Sequence, residues 1–194
     1  MGHSQADKAE NHERIVSVAA ARFRESGVDA IGVADLMKEA GLTHGGFYRH
    51  FESREELVDE AIELALREGG AALEAIEQAR GAGKQSAFAR VVDAYLSTSH
   101  RDNLATSCAI TTLAGDVARS GGRARSAYTR QVRSYLEFFG RLVSGTQGRS
   151  RRAKSMAALS MLVGAVSLAR AIDDEKLSRE ILKSAADALK ATAP

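Results

Sequence analysis

Ala40-Gly41-Leu42-Thr43-His44-Gly45-Gly46-Phe47-Tyr48-Arg49-His50-Phe51, followed by Ser53-Arg54-Glu55-Glu56-Leu57, is the stretch that decides how this chain is read. Just upstream, Val33, Leu36, Met37 and Ala40 recur at helical spacing, and Gly41 is placed to end that helix in a left-handed turn. Thr43 is placed to cap a second short helix. That helix turns Phe47 and Phe51 inward and leaves Thr43, His44, Gly45, Gly46, Tyr48, Arg49 and His50 outward. Two short helices joined in this way have the geometry of a helix-turn-helix, whose second helix offers polar side chains to a DNA major groove. Gly45 and Gly46 each cost a helix about 1 kcal/mol relative to alanine. Two readings stand for them: a backbone brought close to DNA, or a plain turn. Ser53-Arg54-Glu55-Glu56 reads as a capping box that opens a long fourth helix through Leu57, Ala61, Leu64 and Ala65.

Working outward, Ile15, Ala19, Ala20 and Phe23 make the stripe of a first helix that Gly27 ends, and residues 1–8 read as a frayed tail. Arg80-Gly81-Ala82-Gly83-Lys84 reads as a break. A fifth helix follows with Phe88, Val91, Val92 and Tyr95. Residues 100–107 are polar and read as a loop, 108–119 as a sixth helix, 123–143 as a seventh and 145–150 as a loop. The eighth helix carries Met156, Leu159, Val163 and Val166, with small residues Ala157, Ser160, Gly164 and Ala165 between them. Asp173 or Asp174 caps a ninth, striped by Leu177, Ile181, Ala185 and Leu189. The expected fold is all-α with about nine helices, divided into a DNA-binding segment at 8–54 and a larger helical domain at 55–194.

Composition narrows the function. The 194 residues are 44% hydrophobic and 27% charged, as in ordinary globular proteins, and the single proline is Pro194. No apolar run approaches the roughly 18–20 residues that span a bilayer, and no charged-then-apolar leader opens the chain, so a cytoplasmic protein is expected. The lone Cys108 excludes an intramolecular disulfide and a multi-cysteine metal site. The five histidines, His3, His12, His44, His50 and His100, make no metal-ligand pattern. No phosphate-binding loop, dinucleotide fingerprint or catalytic constellation is found, so neither an enzyme nor a cofactor is expected. Charge is uneven. Residues 1–60 hold seven Lys/Arg and twelve Asp/Glu, and residues 119–154 hold ten Lys/Arg and only Glu137. The basic stretch reads either as a solvated face or as an attractor for an anionic ligand or DNA.

The run from Ala40 to Phe51, with Ser53-Arg54-Glu55-Glu56-Leu57 behind it, resembles the signature of the tetracycline-repressor (TetR/AcrR-like) family of bacterial transcriptional regulators. The motif covers roughly residues 11–60. The resemblance implies that Tyr48 packs on and bonds the phosphate backbone, that His50 neighbours a phosphate beside a core Phe51, and that Arg54 stands where a phosphate-contacting lysine is usual. Thr43 and His44 are the expected base-edge contacts. Arg49 has two roles open, bidentate to guanine or on a phosphate. Two departures are visible: Ile31 and Gly32 replace the usual capping Thr or Ser of the second helix, and Met37 replaces a small residue.

The resemblance also implies a homodimer through helices eight and nine, double-stranded operator DNA as partner, and a small-molecule effector. Tyr95, Cys108, Thr111, Thr112, Tyr135 and Phe138 are the candidate effector contacts, although each is also an ordinary core position. Cys108 is either a buried structural thiol or a redox or electrophile sensor. The expected function is a repressor released from a palindromic operator by its effector. An activator or co-repressor-type regulator would use the same fold. The competing reading is a small helical binding protein or enzyme whose first helices merely look like a helix-turn-helix.

Overall fold

The computed structural model describes residues 5–79, 85–143 and 148–191. Among them the chain forms ten α-helices: α1 (Gln5–Ser26), α2 (Val33–Glu39), α3 (Arg54–Gln78), α4 (Ala87–Tyr95), α5 (Thr98–Asp102), α6 (Ala109–Thr112), α7 (Ala114–Arg119), α8 (Gly122–Leu142), α9 (Gly148–Ala171) and α10 (Glu175–Ala191). Single 3-10 segments lie at Val28–Ala30, His44–Arg49 and Leu104–Thr106, and the described residues hold no strand. The all-α expectation stands. The break read at residues 80–84 lies outside the described residues.

Two compact units result. The first comprises residues 5–67 and 104–128. In it α1 packs against α2, α6 and the 3-10 turns at Val28–Ala30 and Leu104–Thr106. Ile15, Phe23, Leu36, Met37, Phe47, Phe51, Leu57 and Leu113 are buried there. The start of α8 is tied to α3: Asp59 accepts from the Ala124 amide at 2.9 Å, and Arg123 pairs with Glu63 at 2.7 Å. The second unit comprises residues 68–103 and 129–191, with α10 packed on α9 and α4. Packing therefore divides the chain differently from the 54/55 boundary. α3 is continuous and contributes to both units, and residues 104–128 fold with the N-terminal segment.

Four local expectations need correction. Residues 5–8 belong to α1 rather than to a tail. Gly148 to Ser150 already belong to α9, where a loop was expected. The span 108–119 is two helices, because Leu113 leaves helical geometry at φ −106° and ψ 7°. The polar span after Tyr95 holds α5, capped by Ser97, whose Oγ accepts from the His100 amide at 3.1 Å. Its polarity hid it: α5 is held by hydrogen bonds, not by an apolar stripe. Arg101 on α5 is buried and donates to Ser178 Oγ at 2.7 Å and Asp102 Oδ1 at 2.6 Å, and pairs with Glu175 at 2.9 Å. Arg170 on α9 returns two bonds, to the carbonyls of Arg101 and His100, both at 2.8 Å.

The Arg101 guanidinium holds the carboxyls of Asp102 and Glu175 below their ordinary range by direct hydrogen bonding. Stability drawn from those bonds is present above the ordinary carboxylate range and is lost as pH falls through the lowered values. Arg101→Met is expected to lower the thermal midpoint at pH 7 by about 2–4 °C, the shift that loss of the buried bond to Ser178, about 1 kcal/mol, produces in a chain of this size, with the exposed partners Asp102 and Glu175 adding little. The gap between wild type and variant should narrow once melts are run below the ordinary carboxylate range.

Candidate nucleic-acid interface

The turn after α2 is built by backbone hydrogen bonds. Gly41 adopts φ +74°, its amide donates to the Lys38 carbonyl at 3.0 Å, and the Leu42 amide donates to Met37 at 2.8 Å. These are the paired bonds of a Schellman ending, and they aim the chain away from α2. Arg14 on α1 fixes the same helix end by donating to the Ala40 carbonyl at 3.3 Å. At its start, α2 has no side-chain cap, as Ile31 and Gly32 led one to expect.

The next segment, His44–Arg49, is a 3-10 helix and not a short α-helix. Thr43 does not cap it with its side chain; its carbonyl accepts from the Gly46 amide at 3.0 Å instead. Two adjacent glycines make an α-turn costly, and the tighter coil needs fewer ordered residues. Two rings hold the segment. Phe47 and Phe51 are both buried and stack with centroids 5.3 Å apart. Phe51 also lies 4.5 Å from the His12 ring on α1, and His12 Nε2 meets Glu60 on α3 at 2.7 Å.

With these rings inward, the opposite face is set. Tyr48 is 75% exposed, and Thr43, His44, Gly45 and Arg49 are exposed beside it. Gly46 and His50 are half-buried. His50 Nδ1 is buried without a hydrogen-bond partner. Burial, with the charges of His12, Lys8 and Arg49, holds its ring below the ordinary imidazole value. A hollow of about 300 Å³ is lined by Thr43, Gly46, Arg49 and His50 together with Lys8 and Asn11 of α1. Lys8 and Asn11 were missed in the sequence. They lie far before Ala40 in the chain, and only the packing of α1 brings them to it.

Arg54 is engaged within the unit. Its Nη2 donates to the Val28 carbonyl at 2.6 Å, and its Nη1 lies 3.7 Å from Asp29. Ser53 caps α3 by accepting from the Glu56 amide at 3.1 Å, while the Glu56 carboxylate accepts from the Glu52 amide at 2.6 Å. The candidate effector contacts divide between the units. Cys108 is buried and Thr111 and Thr112 half-buried in the first; Tyr95, Tyr135 and Phe138 are buried in the second. The hollow beside Thr43 is lined by other residues.

A short helix, a glycine turn and an aromatic-anchored second segment with an exposed polar face define a helix-turn-helix headpiece on an all-α chain. Residues 15–61 match the family model described as bacterial regulatory proteins, tetR family. Over 48 residues it is 44% identical to the HTH-type transcriptional repressor KstR2 of Mycobacterium tuberculosis, covering 25% of this chain and 24% of that protein. Over 62 residues it is 31% identical to the HTH-type transcriptional regulator AcrR of Shigella flexneri, covering 32% of this chain and 29% of that one. The match thus spans only about a quarter of the length of these relatives. A TetR transcriptional regulator from Chloroflexus aurantiacus shares the fold at TM-score 0.78 and 23% identity, covering 97% of this chain and 98% of that one. Reduced NemR of Escherichia coli does so at TM-score 0.76 and 18% identity, covering 95% and 97%.

Exposure and engagement separate two residues that the motif treats alike. Tyr48→Ala is expected to leave urea-denaturation stability within about 0.5 kcal/mol. Arg54→Ala is expected to lower it by about 1 kcal/mol, because the Val28 carbonyl loses its charged donor.

Proposed function

We propose that this chain is a DNA-binding transcriptional regulator: a cytoplasmic homodimeric repressor that leaves a palindromic operator when a small molecule binds. The observation that carries the reading is the exposed face around Gly45 and Gly46. A side-chain carbon at Gly45 would meet nothing within 4 Å, and one at Gly46 would make only ordinary contacts with Met37 and Thr43, both at 3.7 Å. Neither has a positive φ. The chain's own packing does not require glycine at either place. A partner whose backbone comes close does, and Thr43, His44, Tyr48 and Arg49 surround that spot with the donors that DNA recognition uses.

On this reading residues 8–54 engage the operator and 55–194 serve effector binding and dimerisation. Tyr48 and His50 meet phosphates, Thr43 and His44 meet base edges, and Arg49 serves either. Lys8 and Asn11 add phosphate contacts from α1. Arg54 reaches a phosphate while holding Val28. Tyr95, Tyr135 and Phe138 in one unit and Cys108, Thr111 and Thr112 in the other are kept as effector contacts. No described helix is long and apolar enough to cross a membrane.

Dimerisation is assigned to α9 and α10, the eighth and ninth helices of the sequence pattern. α9 buries Ala158, Leu159, Leu162, Ala165 and Val166 in its own unit and leaves Met156, Met161 and Leu168 exposed, Leu168 at 58%. On α10 the buried row is Ser178, Leu182, Ala186 and Leu189, while Leu177 is exposed. A second copy covers these open apolar positions. Gly164 fits this arrangement, since a side chain there meets nothing within 4 Å of its own chain. Ala165 does not face the partner, because it is buried in the protomer.

Operator selection from a randomised duplex pool, read by fluorescence anisotropy across salt concentrations, tests the DNA reading. Tyr48→Ala should weaken binding about tenfold on every sequence, while changes at Thr43 or His44 should shift the preferred sequence. Gly45→Ala should fold as well as wild type or better, yet bind DNA more weakly. Failure to enrich any sequence, or binding indifferent to salt, refutes the reading.

Sedimentation velocity at micromolar concentration tests the dimer. Wild type should sediment as a dimer, and Gly164→Leu and Leu168→Glu should shift it toward monomer with unchanged helical circular dichroism. A monomeric wild type would dispose of the assignment.

A further inference from the structure

The pairing of α8 with α9 in the second unit carries a charge pattern that neither DNA binding nor dimerisation uses. A cavity of about 400 Å³ opens between them, and Arg133 and Arg141 of α8 and Arg151 and Arg152 of α9 line it, with Glu137 as its one carboxylate. Leu136 and Gly140 add apolar surface. At Gly140 the two helices come close: a side-chain carbon there would lie 3.4 Å from Ser155 Oγ and 3.7 Å from Arg151 Cδ. Ser155 is fully buried, its Oγ donating to the Arg151 carbonyl at 2.9 Å.

The cations run against helix electrostatics. α9 opens with Arg149, Arg151, Arg152 and Lys154, and it contains no acid along its whole length. Cations in a first helical turn oppose the macrodipole, and like charges three or four residues apart repel. No acid on α9 itself offsets these charges, and a departure from local rules of this kind points to a binding role. Of the lining arginines, Arg141 has a carboxylate at long range, Glu77 at 3.9 Å, and rests over the Phe138 ring at 5.5 Å. Its position is thereby fixed at the cavity edge.

We infer that this groove binds a small organic phosphate: a dianionic phosphoryl group gripped by guanidinium forks, with a compact apolar body laid against Leu136 and the arginine stems. Four guanidinium groups against one carboxylate select an anion, and their planar donor pairs match phosphoryl oxygens better than a single carboxylate. The volume is that of a small-molecule site and not of a duplex. The inference stands independently of the operator reading, since it uses only residues of the second unit.

The test is calorimetric titration of the full-length protein, in low-salt phosphate-free buffer, with 1-naphthyl phosphate, 1-naphthol and inorganic pyrophosphate. Wild type should bind naphthyl phosphate more tightly than pyrophosphate and should not bind naphthol. The pair Arg133→Ala with Arg152→Ala should weaken naphthyl phosphate at least tenfold. Arg149→Ala with Lys154→Ala removes the same charge from residues that do not line the groove, and should stay within twofold of wild type. Naphthyl phosphate should also raise the thermal midpoint of wild type and of the control pair, but not of the lining pair. No binding by wild type, or equal weakening in both pairs, would overturn the site. Random-sequence duplex DNA that binds in place of naphthyl phosphate and is lost in the lining pair would overturn it too, making the face a nucleic-acid contact.

Discussion

The segment from Thr43 to Phe51 cannot hold its own shape, and what holds it decides what it presents. Six coiled residues with two adjacent glycines make too few hydrogen bonds to offset the entropy of ordering them. Burial of Phe47 and Phe51 supplies the difference, each contributing about 2–3 kcal/mol. Phe51 is anchored from two sides, by the Phe47 ring and by His12 of α1, which is itself paired with Glu60 of α3. The exposure of Tyr48, one residue after an anchor, is therefore a consequence of the core. The outward row is only as well aimed as the two rings behind it.

Much of this was legible in the sequence because its signals are local. Gly41 as a helix ending, Ser53 as a cap and Phe47 with Phe51 as inward residues all follow from spacing and side-chain chemistry. What was not legible depends on packing between distant segments. Lys8 and Asn11 are no part of the run from Ala40 to Phe51, and they reach the hollow beside Thr43 only because α1 lies across it. α5 was hidden because Arg101, Ser178 and Arg170 replace an apolar stripe with hydrogen bonds. α10 shows a subtler limit. Leu177, Ile181, Ala185 and Leu189 form the expected stripe, yet the buried row is Ser178, Leu182, Ala186 and Leu189, so only Leu189 is shared. Two apolar rows lie side by side, and sequence periodicity alone does not say which one turns to the chain's own core.

The excess of acid in residues 1–60 looks like an obstacle to binding a polyanion, but the structure spends much of it internally. Glu60 is on His12, Asp59 on the Ala124 amide, Glu63 (just beyond) on Arg123, and Glu56 on the Glu52 amide. Mobile ions screen the fields of exposed charges beyond about 8 Å at physiological salt. Lys8 and Arg49, by contrast, stand at the hollow beside Thr43. The count over a segment and the potential at one of its faces are different quantities, and recognition depends on the second.

The peptide of Val28 gives the headpiece its tie to the rest of the first unit. Gly27, at φ +84°, turns the chain out of α1 so that the Val28 carbonyl points to Arg54 and its amide to Asp116. The first bond is short at 2.6 Å and the second long at 3.4 Å. One residue thus joins the start of α3 to α7 through its own carbonyl and amide. Arg54 has five donors in a planar fork, so a phosphate arriving beside it would compete with or complement the Val28 carbonyl according to which donors it takes. If it competes, displacement of α7 that loosens Asp116 frees Val28 to follow, and any change in that segment alters how Arg54 is presented. Linkage then requires the converse: whatever holds Arg54 outward must equally favour the loosened arrangement of α7.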